Sequence, residues 1–449
     1  GVNYIPLTLN KREWGGYTVD SSVLQDIEGK EGIFIIKSPM GSGKTEAIIK
    51  PLMQKSDNAF YFAHRQSLVD EACSRIDIPS YNKMCDLESS LSTKFGCCVN
   101  SITKDRFFKG EVFKGASLVA IDEVTKVFSH ITGNTIDDHK TLTPAFFDII
   151  RSAKQVIMTD ADANNLLVEL CKTHFPDQQI HVLQPTDCPM AHVSVEMGKM
   201  ETMFGRALEA IEGRENILIA CDTKVMAQKI ESICSEKNVK CLDIWRETKS
   251  EKAVTAWIND PAKESEKYPV VIYNSSIDSG VSLVTDHFHR TFGLFRNILS
   301  PDAVIQMMGR NRTSKKWELG VSPISEFIFR ELIDNKKAVL RKESLEIEMV
   351  STDNLPTLDE HSQLELQISN HEKMSRNNYT LTVKTMLEQK GYRVSVEEIE
   401  KSALKKHRKH LKELGEALEA EFVNSVLQAS TPSELEARIL DKKISLTEE

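Results

Sequence analysis

The chain has 449 residues, 40% hydrophobic and 27% charged, with a net charge of −9. This is a globular composition and excludes wholesale disorder, and at roughly 150 residues per domain the length allows about three domains. The acidic total argues against a protein that coats nucleic acid by bulk charge, but it leaves room for a local basic groove acting within a Debye length. No run approaches the ~18 consecutive apolar residues of a transmembrane helix. Gly1-Val2-Asn3-Tyr4 lacks the layout of a signal peptide, and the missing initiator Met is consistent with an internal start in a larger protein. The nine cysteines include no Cys-x-x-Cys pair and fit a reducing compartment. Cys73, Cys85, Cys97 and Cys98 admit an iron–sulfur reading. Cys97-Cys98-Val99 reads as a buried strand, however, and buried free thiols are the simpler expectation.

In chain order, residues 32–37 predict a strand ending in a Gly-rich loop, followed by a helix over 46–53. Residues 58–63 predict a second strand, 67–75 a helix, and 118–121 and 155–158 further strands. Short continuous apolar runs alternating with helices indicate a parallel sheet covered on both faces. Residues 184–189 read as a linker, after which the pattern restarts: strand 216–220, helix 224–235, strands 240–244 and 269–273. Beyond about residue 320 strands fade; 327–350 and 396–427 read as long helices separated by polar chain, and no fixed-period repeat is present. The predicted class is α/β: two tandem parallel-sheet lobes over 1–185 and 186–325, then a mostly helical accessory domain over 326–449.

Three motifs carry chemistry. Ser38-Pro39-Met40-Gly41-Ser42-Gly43-Lys44-Thr45 follows a strand and opens a helix, the context a Walker A loop requires, although the strict pattern wants Gly at Ser38. Backbone N–H groups around Gly41 and Gly43 would close on phosphate oxygens, Lys44 would reach the β/γ-phosphates of ATP, and the Thr45 hydroxyl would ligate Mg²⁺. Asp122 and Glu123 end a buried strand 78 residues after Lys44. There Asp122 suits Mg²⁺ through water, and Glu123 suits the orientation or deprotonation of an attacking water. Gln306-Met307-Met308-Gly309-Arg310-Asn311-Arg312 ends the second α/β unit. Taken singly these are a Gly-rich turn, a strand cap and a polar helix start. In this order, Arg310 and Arg312 read as fingers for the γ-phosphate beside Gln306, from a different lobe than the loop.

With those residues in place the chain resembles a superfamily 2 helicase over 38–312. Ser38 to Thr45 is similar to motif I, and Asp122-Glu123-Val124-Thr125 to motif II. Tyr61-Phe62-Ala63-His64-Arg65-Gln66-Ser67-Leu68 resembles motif Ia and Cys97-Cys98-Val99-Asn100-Ser101 motif Ib. Met158-Thr159-Asp160-Ala161-Asp162-Ala163 resembles motif III, Ile219-Ala220-Cys221-Asp222-Thr223-Lys224 motif IV, and Ile277-Asp278-Ser279-Gly280-Val281-Ser282 motif V. Within that superfamily, Ser-Pro-Met-Gly-Ser-Gly-Lys-Thr, His-Arg-Gln-Ser-Leu, Asp-Glu-Val-Thr, Ser-Gly-Val-Ser and Gln-x-x-Gly-Arg-x-Arg are most similar to the herpesvirus-type replication origin-binding protein helicases and their phage and plasmid relatives.

The resemblance implies RecA-like lobes with ATP and Mg²⁺ in their cleft. It also implies Gly280 beside the nucleotide, and contacts to nucleic acid from Arg65, Ser67, Asn100, Ser101, Thr223, Lys224 and Ser282. The implied activity is nucleic-acid-stimulated ATP hydrolysis driving 3′-to-5′ movement on single-stranded DNA, with unwinding during replication. The implied partners are single-stranded or fork DNA and a primase or other replication protein, with no membrane. The implied location is the cytoplasm of a bacterial host, or the nucleus for a eukaryotic virus. A duplex translocase, an RNA remodeller, or an ATP-switched origin-binding scaffold with little turnover are the alternatives. The chain departs from the pattern at Thr125, where motif II commonly has His or Asp. It departs again at Thr313, where the second arginine of motif VI would fall, so Arg310 and Arg312 both stand as fingers. Trp14, Tyr17 and Gln25 are three candidates for reading adenine. Residues 287–290 read as a short strand or as a base-stacking pin. The basic run 405–412 reads as a helix face balanced by Glu413, Glu416 and Glu419, or as a duplex contact. Met349, Met374 and Met386 are expected in packed positions.

Overall fold

The computed structural model describes residues 1–13, 16–39, 41–133, 138–161, 165–186, 190–245, 247–275, 281, 283–322, 336, 339–340, 356–376, 378–397 and 401–428. Trp14, Met40, Gly280, Ser282, Met349 and nearly all of 327–350 therefore lie outside the described residues.

The first lobe carries nine strands: β1 Val2–Leu7, β2 Leu9–Lys11, β3 Tyr17–Val19, β4 Gly32–Lys37, β5 Ala59–Ala63, β6 Lys94–Cys98, β7 Leu118–Asp122, β8 Gln155–Asp160 and β9 Ile180–Pro185. Seven form one parallel sheet in the order β1-β9-β4-β8-β7-β5-β6, while β2 and β3 make a separate hairpin. Every residue of β5 and β8 is buried, as expected for strands covered on both faces. The crossover order leaves the carboxyl ends of β4, β8 and β7 side by side, the position where open parallel sheets bind ligands.

The second lobe repeats the plan with β10 Ser194–Gly198, β11 Ile217–Cys221, β12 Cys241–Ile244, β13 Val270–Tyr273, β14 Arg290–Phe295, β15 Lys316–Val321 and β16 Arg393–Val396. Its sheet is also parallel, in the order β12-β13-β11-β14-β15-β10-β16. The fold is thus two tandem RecA-like lobes. Residues 287–290 lead into a strand, as one of the two readings had it: Arg290 opens β14, Phe288 is buried, and His287 Nε2 lies 3.0 Å from the Tyr268 carbonyl. Gly293 and Gly320 are there for room, since a Cβ would come within 2.7 Å of Leu319, Met308 and Phe295 at the first and 2.8 Å of Met200 Cα at the second.

Two helices and a strand occupy the stretch read as polar chain. Helix Glu360–Arg376 packs on first-lobe helices Val124–Ile131, His139–Ser152 and Asn165–His174. Thr143 Oγ1 lies 2.8 Å from His361 Nδ1, and Gln367 Oε1 accepts from His174 Nε2 at 2.9 Å, two hydrogen bonds that fasten it there. Helix Tyr379–Gln389 packs instead on the second lobe, against helix Pro301–Met308 and β16. Helix Lys401–Gln428 covers helices Met200–Glu212 and Lys224–Glu236, and begins after β16 where a helix from 396 was expected. Lys405, Lys406, Lys409 and Lys412 are exposed on it, with Lys409 3.6 Å from Glu413 and Lys412 3.5 Å from Glu416. Met386 packs against the second core, whereas Met374 is 59% exposed and not in a packed position. Among the described residues, no helix is long and apolar enough to cross a membrane.

Candidate functional site in the interlobe cleft

The phosphate-loop candidate leaves β4 with Ser38 and Ser42 buried and their hydroxyls 2.7 Å apart. Gly41 (φ +70°) and Gly43 (φ +72°) hold the left-handed conformations that let successive amides turn inward. Lys44 donates to the Ser38 carbonyl at 3.1 Å. The helix expected over 46–53 opens as a π-helical turn, Thr45–Ile49, and becomes α-helical only over Lys50–Lys55. Pro51 explains this: in a straight α-helix its ring would strike the Ala47 carbonyl, and the wider turn relieves the clash. The hairpin β2–β3 is tied to the loop by Val19 N–H donating to the Ser42 carbonyl at 2.8 Å. Tyr17, in that hairpin, has its ring 6.3 Å from that of His192, while Gln25 is exposed on the short helix Val23–Ile27.

Asp122 ends β7 and is held from three sides. Thr159 Oγ1 donates to Oδ1 at 2.6 Å, the Glu123 amide to the same oxygen at 3.0 Å, and Tyr61 OH to Oδ2 at 3.0 Å. Thr45, Asp122, Glu123, Tyr61 and Arg75 line one open cavity of about 340 Å³. A hydroxyl and an oriented carboxylate form a hard-oxygen set that suits a divalent cation such as Mg²⁺, with phosphate and water completing the shell. Glu123 begins helix Val124–Ile131 in the left-handed region (φ +48°, ψ +50°). Burial raises its pKa above the ordinary carboxylate value, with Lys126, 3.3 Å from Oε2, pulling the other way and Asp122 adding to the rise. Thr125 N–H donates to Asp160 at 2.8 Å, joining the second motif to the end of β8.

The second lobe answers from across the cleft. Helix Pro301–Met308 ends at Gly309, and the chain beyond pairs with Leu283: Leu283 N–H donates to the Arg310 carbonyl and Arg312 N–H to the Leu283 carbonyl, both at 2.9 Å. Arg310 turns into its own lobe, Nη1 lying 3.4 Å from the Val281 carbonyl. Arg312 packs on the loop, and a Cβ at Gly41 would stand only 2.6 Å from its Cζ. Burial lowers the Arg312 pKa, and the neighbouring cations Arg310, Arg12 and Arg75 add to the effect. Gln306 is half-buried on the same helix.

Of the nucleic-acid candidates, Arg65, Ser67, Asn100 and Lys224 are exposed. Arg65 and Ser67 start helix Gln66–Ile76 beyond β5, and Asn100 follows β6, so all three sit at the carboxyl edge of the first sheet. Thr223 caps helix Lys224–Glu236, accepting from Met226 N–H at 3.2 Å. Ser101 is 4% exposed with its hydroxyl 2.8 Å from Tyr81 OH, so its side chain faces the core and is not at the surface. Cys73, Cys97 and Cys98 are buried free thiols, and Cys85 is exposed. Motif spacing alone does not reveal Tyr61 and Thr159 as supports of Asp122, nor His64 beside Glu123. The register of β7 with β8, which pairs Asp122 with Thr159, is the signal that exposes one of them.

The site is made by two RecA-like lobes, a glycine loop and a carboxylate pair on one facing an arginine turn on the other. The origin of replication binding protein family matches residues 21–190 and 182–321, and the chain belongs to that family. The replication origin-binding protein of Human herpesvirus 7 is 23% identical over 321 residues, 66% of this chain and 38% of that protein. An uncharacterized putative helicase of Acanthamoeba polyphaga mimivirus is 22% identical over 312 residues, covering 65% of this chain and 29% of that one. The chain thus spans well under half the length of these relatives. A solved structure of the DUF1998 helicase MrfA bound to DNA and AMPPNP is also similar, with a TM-score of 0.46 and 11% identity over 81% of this chain and 58% of that one.

Proposed function

We propose that this chain is an ATP-driven motor that hydrolyses ATP in the interlobe cleft and moves along single-stranded DNA during replication, separating strands as it goes. The direction proposed is 3′ to 5′, as in the superfamily members it resembles. The observation that carries this reading is the Arg312 guanidinium packed on Gly41 of the loop, because a cation supplied by the opposite lobe makes hydrolysis depend on lobe closure. Lys44 and the loop amides would hold the β- and γ-phosphates. Thr45 and Asp122 would hold Mg²⁺, which when bound neutralises phosphate charge. Glu123 would orient the attacking water and accept its proton, a role favoured by its raised proton affinity. Gln306 and Arg310 would support Arg312 from the second lobe. Arg65, Ser67, Asn100, Thr223 and Lys224 would contact strand phosphates, giving binding that weakens with salt.

The proposed lobes are 1–185 and 186–325, and of the following 326–449 stretch β16 joins the second lobe's sheet. A second reading, an ATP-switched origin-binding module with little turnover, is favoured by the name its herpesvirus relatives carry. Steady-state ATPase decides between them, measured without nucleic acid and with single-stranded DNA, duplex DNA or single-stranded RNA, against Glu123→Gln as the blank. Stimulation by single-stranded DNA that the variant lacks supports the motor. Turnover at the blank's level on every substrate overturns it in favour of the switch.

A further inference from the structure

The strand-contact loop and the candidate general base are linked by one buried side chain. Of residues 64–68, His64 alone is buried, whereas Arg65 and Ser67 on the same loop face solvent. His64 Nδ1 has no hydrogen-bond partner among the described residues. It stands 3.8 Å from Oε2 of Glu123, the oxygen that Lys126 approaches on the other side. Its ring neighbour is His130, 6.2 Å away between centroids, whose Nε2 is likewise buried without a partner. Leaving a buried polar group unsatisfied costs ~1–3 kcal/mol, and such groups persist where a second state uses them. Glu123, in its left-handed conformation, is itself held in a strained geometry of the kind that gathers at functional sites.

We propose that His64 is a positioning residue coupling strand binding to hydrolysis: a phosphate bound at Arg65 and Ser67 draws the loop so that His64 Nδ1–H closes onto Glu123 Oε2 and fixes the carboxylate toward the attacking water. The movement is small, from 3.8 Å to a hydrogen bond of about 3 Å. Burial and the cations Lys126 and Arg65 lower the His64 pKa to about 4, so the ring stays neutral and its proton remains on the histidine throughout. This inference rests on the motor reading of the same cleft.

The test compares the full chain with His64→Ala and His64→Asn, whose amide nitrogen takes roughly the place of Nδ1. ATPase is measured with and without an oligo-dT strand, alongside binding of a fluorescent ATP analogue and of labelled oligo-dT. In His64→Ala the strand-stimulated kcat is expected to fall about tenfold or more, with KM for ATP and both affinities within about threefold. His64→Asn is expected to recover at least about a third of the stimulation. Wild-type stimulation in His64→Ala overturns the inference alone. So does loss of stimulated and unstimulated turnover in equal proportion, or loss of nucleotide binding, since either marks a purely structural residue. A wild-type chain that never exceeds Glu123→Gln overturns the motor reading and this inference with it.

Discussion

Arg310 and Arg312 lie two residues apart, yet they are expected to differ sharply when removed. Arg310 is directed to the Val281 carbonyl within its own lobe, and its charge bears on Tyr273, whose hydroxyl donates to the Met307 carbonyl at 2.5 Å. Arg312 crosses the cleft to Gly41. It shares that space with Arg310, Arg12 and Arg75, so the cleft gathers positive charge that triphosphate would neutralise. An arginine that stabilises charge on a transferring phosphoryl group contributes about 10³–10⁵ in rate, roughly 4–7 kcal/mol. Arg312 is only half-buried, so solvent screens its charge, which places Arg312→Ala near the lower end, a fall of about 10³ in strand-stimulated kcat. Arg310→Ala loses packing and a long backbone contact and is expected to cost about tenfold. Arg312→Lys should recover little, because a point charge on a flexible stem does not reproduce the planar fork. The assay is single-strand-stimulated ATPase, with nucleotide affinity measured in parallel. If Arg310→Ala proves the more damaging of the two, the assignment of Arg312 as the finger is wrong.

The second lobe offers two stability tests. Glu318, with its side chain 2% exposed, accepts from Arg290 at 2.6 Å through both oxygens and lies 3.2 Å from Arg206. Glu318→Ala is expected to destabilise by about 3 kcal/mol, because two arginines lose the buried carboxylate between them. Chemical denaturation followed by circular dichroism should show it, and a change under about 1 kcal/mol would count against the ion network as a structural anchor. Asp243 has its pKa raised to about 7, by burial first and then by Glu231, and its Oδ1 is buried without a partner. A carboxyl group that holds its proton more tightly folded than unfolded loses stability as pH rises from about 4 to about 7, with no further loss above that. Asp243→Asn should therefore raise the Tm increasingly between pH 5 and 7 and by a constant amount beyond. A gain independent of pH would refute the sign.

The first lobe was legible because its central strands are continuous apolar runs. Ala59–Ala63 and Gln155–Asp160 are buried throughout, and nothing in them competes with that reading. In the second lobe β11, β12 and β13 were legible in the same way, whereas β14 and β15 were hidden by their own charges. Arg290 opens β14 and Glu318 sits inside β15, and the two neutralise each other only once the strands are adjacent. Edge strands β1 and β16 pair with β9 and β10, partners that no local window of sequence connects to them. The same division holds at the site. Lys44, Asp122 and Glu123 are fixed by motifs a few residues long. Which arginine meets the loop depends on how two lobes face each other, and motif spacing carries no such information. The π-helical first turn after the loop follows from Pro51, a signal present in the sequence but outweighed there by the apolar spacing.

Helices Glu360–Arg376 and Tyr379–Gln389 grip different lobes, and only two residues separate their ends. Three consecutive Cα steps span at most about 11 Å, so the point where the helices meet acts as a short leash. Asn378, at φ +54°, already bends the backbone there. While both helices stay docked, the lobes can swing about this point but cannot draw apart at it. Any stroke of the cleft is converted into rotation around a fixed fulcrum, with the largest travel at the positions farthest from residue 378.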